Sequence, residues 1–321
     1  MKVSIIGGGG FLGQKLAKKL AADGKVRGQD ITGMVLADVV APAAVDAPFP
    51  VDTQQMDVTD RAEVARAVAG ADAIWHLAAI VSAQAEAEFD LGLEVNLMGS
   101  LNVFQAARDL GTCPVVVYTS SCAVYGGEIP DPIRDGVELN PQTSYGAQKA
   151  AAELILTDMS RKGFLDGRGL RLPTISIRPG KPNKASTGFM SSIFREPMQG
   201  MASNCPVGRD FPIWHCAPRT MVDNLAHAAE IPADDWGKNR CLATPGVTST
   251  IGEMIEAMTR VAGPEPKELI TWDKDEWIEG IVRQFTAAVI PEKALRLGFK
   301  KDASFEDSVR YFLEDDIQRP A

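Results

Sequence analysis

The sequence predicts an α/β fold, a doubly wound parallel sheet followed by a smaller C-terminal domain. Three observations predict it: short apolar runs recur, helical stretches separate them, and the texture changes after Gly180. The runs are "KVSIIG", "MVLADVV", "AIWHLAAI", "PVVVYTS" and "TISIRPG". Each is apolar or β-branched on both faces, which suits strands covered on both sides. The helical stretches are 11–22, 61–69, 90–110 and 145–161. Strand, helix, strand in that order gives right-handed crossovers onto one sheet.

After residue 180 proline and glycine become frequent and the alternation stops. The reading is therefore a first domain over 1–180 and a smaller one over 181–321. A helix-like "TMVDNLAHAAEI" and a strand-like "NRCLATPG" place 220–246 back in the first domain. "TSTIGEMIEAMTRVAG" starts a helix, with Thr250 and Glu253 in capping-box spacing and Gly263 as its stop. Trp272, Trp277, Ile281 and Phe285 are expected on the packed side of a further helix.

Composition narrows the class of function. Hydrophobic residues at 45% and charged ones at 23% describe a globular chain long enough for a sizeable core. A net charge of −9 argues against nucleic acid as a partner, which would ask for a basic face. No run suits a membrane span, and the glycine-broken start does not resemble a signal peptide. Five scattered cysteines without a Cys-x-x-Cys fit reduced thiols in the cytoplasm, and no metal site is expected.

"IIGGGGFLG" follows the first run and opens the first helix, with Gly7, Gly10 and Gly13 in G-x-x-G-x-x-G spacing. Glycines there allow a tight turn and a close backbone approach to a pyrophosphate. The helix start at Phe11 and Leu12 then supplies N–H groups and a positive dipole end. Asp38, ending the second run, can accept hydrogen bonds from the adenosine ribose and repel a 2′-phosphate, so the cofactor reads as NAD. Asp57, with Val58 beside it, is placed at the adenine, although Asp57 could equally cap the helix near Thr59. Leu77, Ala78 and Ala79 end the third run where backbone must pass close to a cofactor, and Pro179 closes the fifth. His76 is expected to pack rather than to react.

"YTSSCAVYGG" ends another strand, and 24 residues after Ser121 comes Tyr145 in "TSYGAQK". Strand C-termini form the ligand-facing edge of such a sheet, so Ser121 should face the nicotinamide. Tyr145 and Lys149 lie at i and i+4, on one helical face. A free tyrosine holds its proton to about pH 10, so a base at pH 7 needs roughly 4 kcal/mol of help. A neighbouring ammonium together with the charge of oxidised nicotinamide could supply it.

Taken in order, Gly7/Gly10/Gly13, Asp38, "HLAA", Asn96 in "EVNLMGSLNV", "TSSCAVYG" and "SYGAQK" resemble the extended short-chain dehydrogenase/reductase family. The resemblance extends to the closing "EKALRLGFKKDASFEDSVRYFL". It implies a Rossmann-type sheet, a substrate-binding C-terminal domain, and Tyr145 as general acid/base. It further implies Lys149 as charge partner and ribose ligand, Ser121 hydrogen-bonded to the reacting oxygen, and Asn96 holding a proton-relay water. Asn96, Tyr145 and Lys149 thereby also touch the cofactor. Family analogy suggests a homodimer packed through helices near 92–110 and 145–161.

Two departures bear on substrate. Ser121 is followed by Cys122 and Ala123, not the Asp-Glu pair that dehydratases of the family use. Ala217-Pro218-Arg219 stands where nucleotide-sugar enzymes tend to carry an Arg-Asp-aromatic motif. "IRPGKPNKASTGFMSSIFREPMQG" instead resembles the D-erythronate dehydrogenase branch, which oxidises C2 of a four-carbon sugar acid with NAD. Arg178, Lys181, Lys184 and Arg195 put cations near the expected substrate mouth, and cations suit a small carboxylate. Arg195, or failing that Lys184, is expected to hold the carboxylate, with Ser121, Tyr145 and Asn183 on hydroxyl groups. The alternative is a nucleotide-sugar 4-epimerase that keeps NAD tightly bound.

Overall fold

The computed structural model describes residues 1–180, 187–283 and 288–317. The principal strands are β1 (Lys2–Ile6), β2 (Gly33–Asp38), β3 (Val51–Gln55), β4 (Ala73–His76), β5 (Val115–Ser121), β6 (Asp166–Leu172), β7 (Thr174–Ile175), β8 (Pro212–Cys216), β9 (Cys241–Ala243) and β10 (Val247–Thr250). Seven of them form one sheet in the order β9-β6-β5-β4-β1-β2-β3. Every pairing in it is parallel. The order reverses between β1 and β4, and a crevice opens there beyond the strand C-termini.

The principal helices are α1 (Phe11–Asp23), α2 (Arg61–Ala67), α3 (Gly99–Asp109), α4 (Ser144–Arg161), α5 (Phe189–Arg195), α6 (Pro218–Glu230), α7 (Ile251–Ala262) and α8 (Phe305–Asp315). On one face of the sheet, Leu16 and Leu20 of α1 and Met221 and Leu225 of α6 pack on Ile5, Trp75 and Val117. On the other, Val64 of α2, Phe104 of α3 and Leu156 of α4 cover Ile6, Ile74 and Val116. With both faces covered, β1, β4 and β5 are apolar almost throughout, which is why they were legible.

The fifth expected strand is corrected. "TISIRPG" does not enter the large sheet; Thr174–Ile175 pairs with β8, which pairs in turn with β10 in a three-stranded sheet. The place beside β5 is taken by β6, "DGRGLRL", whose charges hide it from a hydrophobic scan. Those charges are matched internally. Asp166 meets Arg168 at 2.6 Å, Arg27 at 3.0 Å and Arg240. Arg171 grips Glu153 of α4 at 2.7 Å.

A second core, with Phe194, Trp214, Ile251, Met254, Met258, Phe305 and Phe312, holds α5, α7 and α8 together. The capping box at Thr250 and Glu253 forms as the spacing suggests. The tryptophan expectation is corrected. Trp277 is 56% exposed and Trp272 37%, because the short helix Glu276–Val282 packs through Ile278, Ile281 and Val282. Phe285 lies outside the described residues.

Asp166 yields a prediction about stability. Burial pushes its carboxyl up, but the three guanidiniums outweigh burial and hold it below its ordinary value near 3.8. A carboxyl lowered in the fold contributes stability that is present above the unfolded value and lost as pH falls through the folded one. Asp166→Asn leaves Arg168, wholly buried, without a counter-charge, at an expected cost of about 3–5 kcal/mol in urea unfolding at pH 7. That cost should shrink below pH 4. An equal deficit at pH 7 and pH 3 would show that the charge is not what matters.

Candidate active site

The glycine turn sits at the C-terminal end of β1. Gly7 has φ +91°, and a Cβ there would stand 2.6 Å from the Ala78 nitrogen. A Cβ on Gly13 would overlap the Gly7 carbonyl, so only glycine lets α1 lie this close to β1. Gly10 caps α1 without any side-chain acceptor, which leaves the first-turn N–H groups of Phe11, Leu12 and Gly13 aimed into the cleft. That cradle fits a pyrophosphate on a helix N-terminus. The residues present fit a dinucleotide.

Asp38 is fixed beside the turn, accepting from Gly9 N–H at 3.0 Å and Val39 N–H at 2.7 Å. Both bonds hold the carboxylate beside the glycine turn while leaving lone pairs on each oxygen. Asp57 is exposed and accepts from the Thr59 N–H and hydroxyl at 2.9 and 2.8 Å; Asp60, not Asp57, caps α2. Val58 is buried against Gly99, and Ala78 N–H is spent on Ile6 O at 3.0 Å. Leu77 and Ala79 line the cleft, and Pro179 lines a neighbouring hollow with Phe11 and Gln14.

Ser121, Tyr145 and Lys149 line the same cleft as the glycines. Helix α4 starts at the Thr143 cap, which accepts from Gly146 N–H at 3.1 Å. A Cβ on Gly146 would collide with the Ala123 carbonyl. This glycine therefore sets how near Tyr145 comes to the Ser121 turn. It was missed in the sequence, although it stands between the two residues that were noticed.

Lys149 is 1% exposed. Its ammonium donates to Thr119 O at 2.9 Å and lies 4.9 Å from the Tyr118 ring centre and 5.8 Å from that of Tyr145. Burial pulls its pKa down to about 7, with Glu153 opposing. Burial also pushes Tyr145 up to about 12, and the nearby Cys122 thiol adds to that, while the Ser121 hydroxyl and the Arg178 charge work the other way. Cys122 is itself pushed up to about 11 by burial, so it is a neutral thiol at pH 7.

Asn96 occupies a π-helical turn, Leu93–Met98, that runs into α3. It is fully buried, accepting from Ile80 N–H at 2.9 Å and donating to Gln148 at 2.9 Å. It thus braces β4's exit loop against α4 beneath the cleft rather than lining it. His76 is buried between Phe104 and Tyr118, bonded to Ser100 at 2.9 Å. Burial and then the Lys149 charge hold it down to about 3, so it is neutral, as packing suggests.

The cations on the substrate side sort differently from expectation. Arg195 points away, pairing with Glu196 at 2.5 Å and donating to Arg178 O at 2.8 Å. Arg178 lines the cleft instead, with Thr187. Asn183, Lys184 and Lys181 lie outside the described residues.

The comparisons agree with this geometry. The NAD dependent epimerase/dehydratase family matches residues 3–216. D-erythronate dehydrogenase of Cupriavidus necator is 46% identical over 98% of both chains. D-erythronate dehydrogenase of Haemophilus influenzae is 41% identical over 99% of this chain and all of that one. A crystal structure described as a nucleoside-diphosphate-sugar epimerase from Agrobacterium tumefaciens superposes with TM-score 0.93 at 42% identity, covering 98% of this chain and 94% of that one. By sequence, by sheet order and by the placement of Ser121, Tyr145 and Lys149, the chain belongs to the NAD-dependent epimerase/dehydratase family, the extended short-chain dehydrogenases/reductases.

Proposed function

We propose that this protein is an NAD-dependent oxidoreductase that oxidises the C2 hydroxyl of D-erythronate to the 2-oxo acid. The observation that carries the reading is full-length identity of 46% and 41% to two proteins named D-erythronate dehydrogenase. Its physical support is a cleft that joins a dinucleotide cradle to a tyrosine, a lysine, a serine and an arginine. When bound, NAD supplies the acceptor for the hydrogen that leaves C2 as hydride. Tyr145 takes the hydroxyl proton, and Ser121 holds the reacting oxygen by hydrogen bonding. A tyrosine near 12 is a poor base at neutral pH, so cationic help is required. Lys149 gives it, held by Thr119 O and the Tyr118 ring with its ammonium 5.8 Å from the centre of the Tyr145 ring.

Asp38 makes the cofactor NAD rather than NADP, because a fixed carboxylate repels a 2′-phosphate. Residues 181–321, apart from 220–246, would form the substrate-binding domain. Asp57 and Val58 keep a supporting role at the adenine end, and Asn96 one in proton relay. Leu154 is 68% exposed, and Phe89, Met98 and Ile155 are exposed on adjoining turns. Such a patch on neighbouring helices suits a homodimer. No described helix is long and apolar enough to cross a membrane, and all five cysteines are free, in keeping with the cytoplasm. The name of the Agrobacterium structure favours a second reading, sugar-nucleotide epimerisation.

Incubation with NAD and a panel of C4 sugar acids, followed by absorbance of the reduced cofactor, decides between the two. Net reduction with D-erythronate is expected. UDP-sugar interconversion without net reduction would replace the dehydrogenase by the epimerase. Tyr145→Phe should lower kcat by at least ~100-fold while NAD binding persists; near-normal turnover would remove Tyr145 from the chemistry. Asp38→Ala should raise kcat/KM with NADP relative to NAD by roughly tenfold or more, and an unchanged ratio would leave Asp38 a turn residue only.

Lys149 gives a pH signature. A lysine lowered to about 7 in the fold, from 10.5 when unfolded, carries a destabilisation that is full below pH 7 and fades as pH rises to 10.5. Lys149→Met removes it. The Tm of the variant minus that of the wild type should therefore fall between pH 6 and pH 10, and a flat difference would mean that Lys149 is not perturbed.

A further inference from the structure

We infer that Arg178, supported by Thr187, is the group that binds the substrate carboxylate and so sets the preference for acids. This rests on the sugar-acid reading above. Four other arginines packed into the interior each hold a carboxylate: Arg168 and Arg240 share Asp166, Arg171 grips Glu153, and Arg195 pairs with Glu196. Arg178 differs. Among the described residues no carboxylate lies within ion-pair reach of it, yet it lines the cleft that holds Ser121 and Tyr145.

Its guanidinium is held in place by neutral oxygens. Nε donates to Ile175 O at 3.1 Å, and Nη2 donates to Thr187 O at 3.2 Å and Thr187 Oγ1 at 2.8 Å. The Arg178 backbone N–H donates to Ser191 Oγ at 3.1 Å, and its carbonyl accepts from Arg195 at 2.8 Å. Nη1 has no acceptor among the described residues. A cation immobilised in this way, with donors left over and no counter-charge, is preorganised for an anion.

Position agrees with the chemistry. In a 2-hydroxy acid the carboxylate carbon is one bond from the reacting carbon, so its clamp must adjoin the group that takes the hydroxyl proton. Arg178 and Tyr145 line one cleft, and the charge of each favours the charged form of the other. Burial, then the Arg195 charge, pulls the guanidinium down to about 10, which a bound carboxylate would reverse. Arg195 is thereby recast. It is a positioning residue that fixes the Arg178 backbone and is itself neutralised by Glu196.

The test compares wild type with Arg178→Gln, Arg178→Lys and Thr187→Val. Steady-state oxidation of D-erythronate is measured alongside binding of oxalate to the protein saturated with NADH. Arg178→Gln should raise KM on the order of 100-fold and abolish oxalate binding, with NADH affinity retained. Arg178→Lys should recover part of the loss, since it restores the charge without the planar fork. An unchanged KM, or a loss confined to kcat with oxalate still bound, overturns the clamp. Should Arg178→Gln fail to fold, Arg178→Lys and Thr187→Val decide: each should raise KM severalfold, and unchanged KM in both overturns the assignment. Failure of the sugar-acid reading looks different. Wild type inert toward D-erythronate but binding oxalate through Arg178 keeps the anion site and discards only the substrate.

Discussion

An ammonium group kept almost wholly out of water is the constraint on which the site depends. Burying Lys149 is unfavourable, and the fold offsets it with oriented dipoles instead of a counter-charge: the Thr119 carbonyl at the end of β5 and the face of Tyr118 one residue earlier. Both groups come from the strand that also delivers Ser121. The nearest carboxylate along the helix, Glu153, is gripped by Arg171. The lysine charge is thus left without a carboxylate of its own, and in the proposed reaction the spacing of β5 against α4 sets where that charge stands.

That spacing is set by small residues. Gly146 lets α4 approach the Ala123 carbonyl, and Gly92 leaves room for the Gln148 amide that Asn96 engages. The π-helical turn around Asn96 turns its amide toward Gln148 and the Ile80 N–H at once. Such turns recur where a helix serves a site. Here the irregularity joins the loop after β4 to α4, the helix that carries Tyr145 and Lys149.

How much of this could be read in the sequence depended on whether a residue's job shows in its own chemistry. Gly7, Gly10 and Gly13, the apolar strands, and Tyr145 one turn from Lys149 declare themselves by type and spacing. Strand β6 did not, because Asp166 and Arg171 cancel their charges with Arg27, Arg240 and Glu153, distant in sequence, and Arg168 with Asp166 on its own strand. Cation identity failed for the same reason. Arg178 and Arg195 look alike in a string of letters, and only Glu196 folding onto one of them tells the clamp from the brace. Trp272 and Trp277 misled in the opposite sense, since an aromatic at helical spacing is packed only if the helix is long enough to bury that side.

The same Asp166 cluster has a bearing on how the sheet ends. The border strand β9 is three residues long and, among the described residues, pairs only with β6, so few ladder bonds hold it. Arg240, immediately before it, latches it to Asp166 and to the Gly167 carbonyl at 2.8 Å. Acid that protonates Asp166 would loosen the short strand before the body of the fold melts. What it uncovers is the outer edge of β6 at Gly169, Leu170 and Arg171, whose freed N–H and C=O groups are a template for another chain. The latch therefore also protects against self-association, and in acid below the ordinary carboxylate range, where Asp166 takes its proton, the first sign of trouble would be turbidity rather than loss of helix.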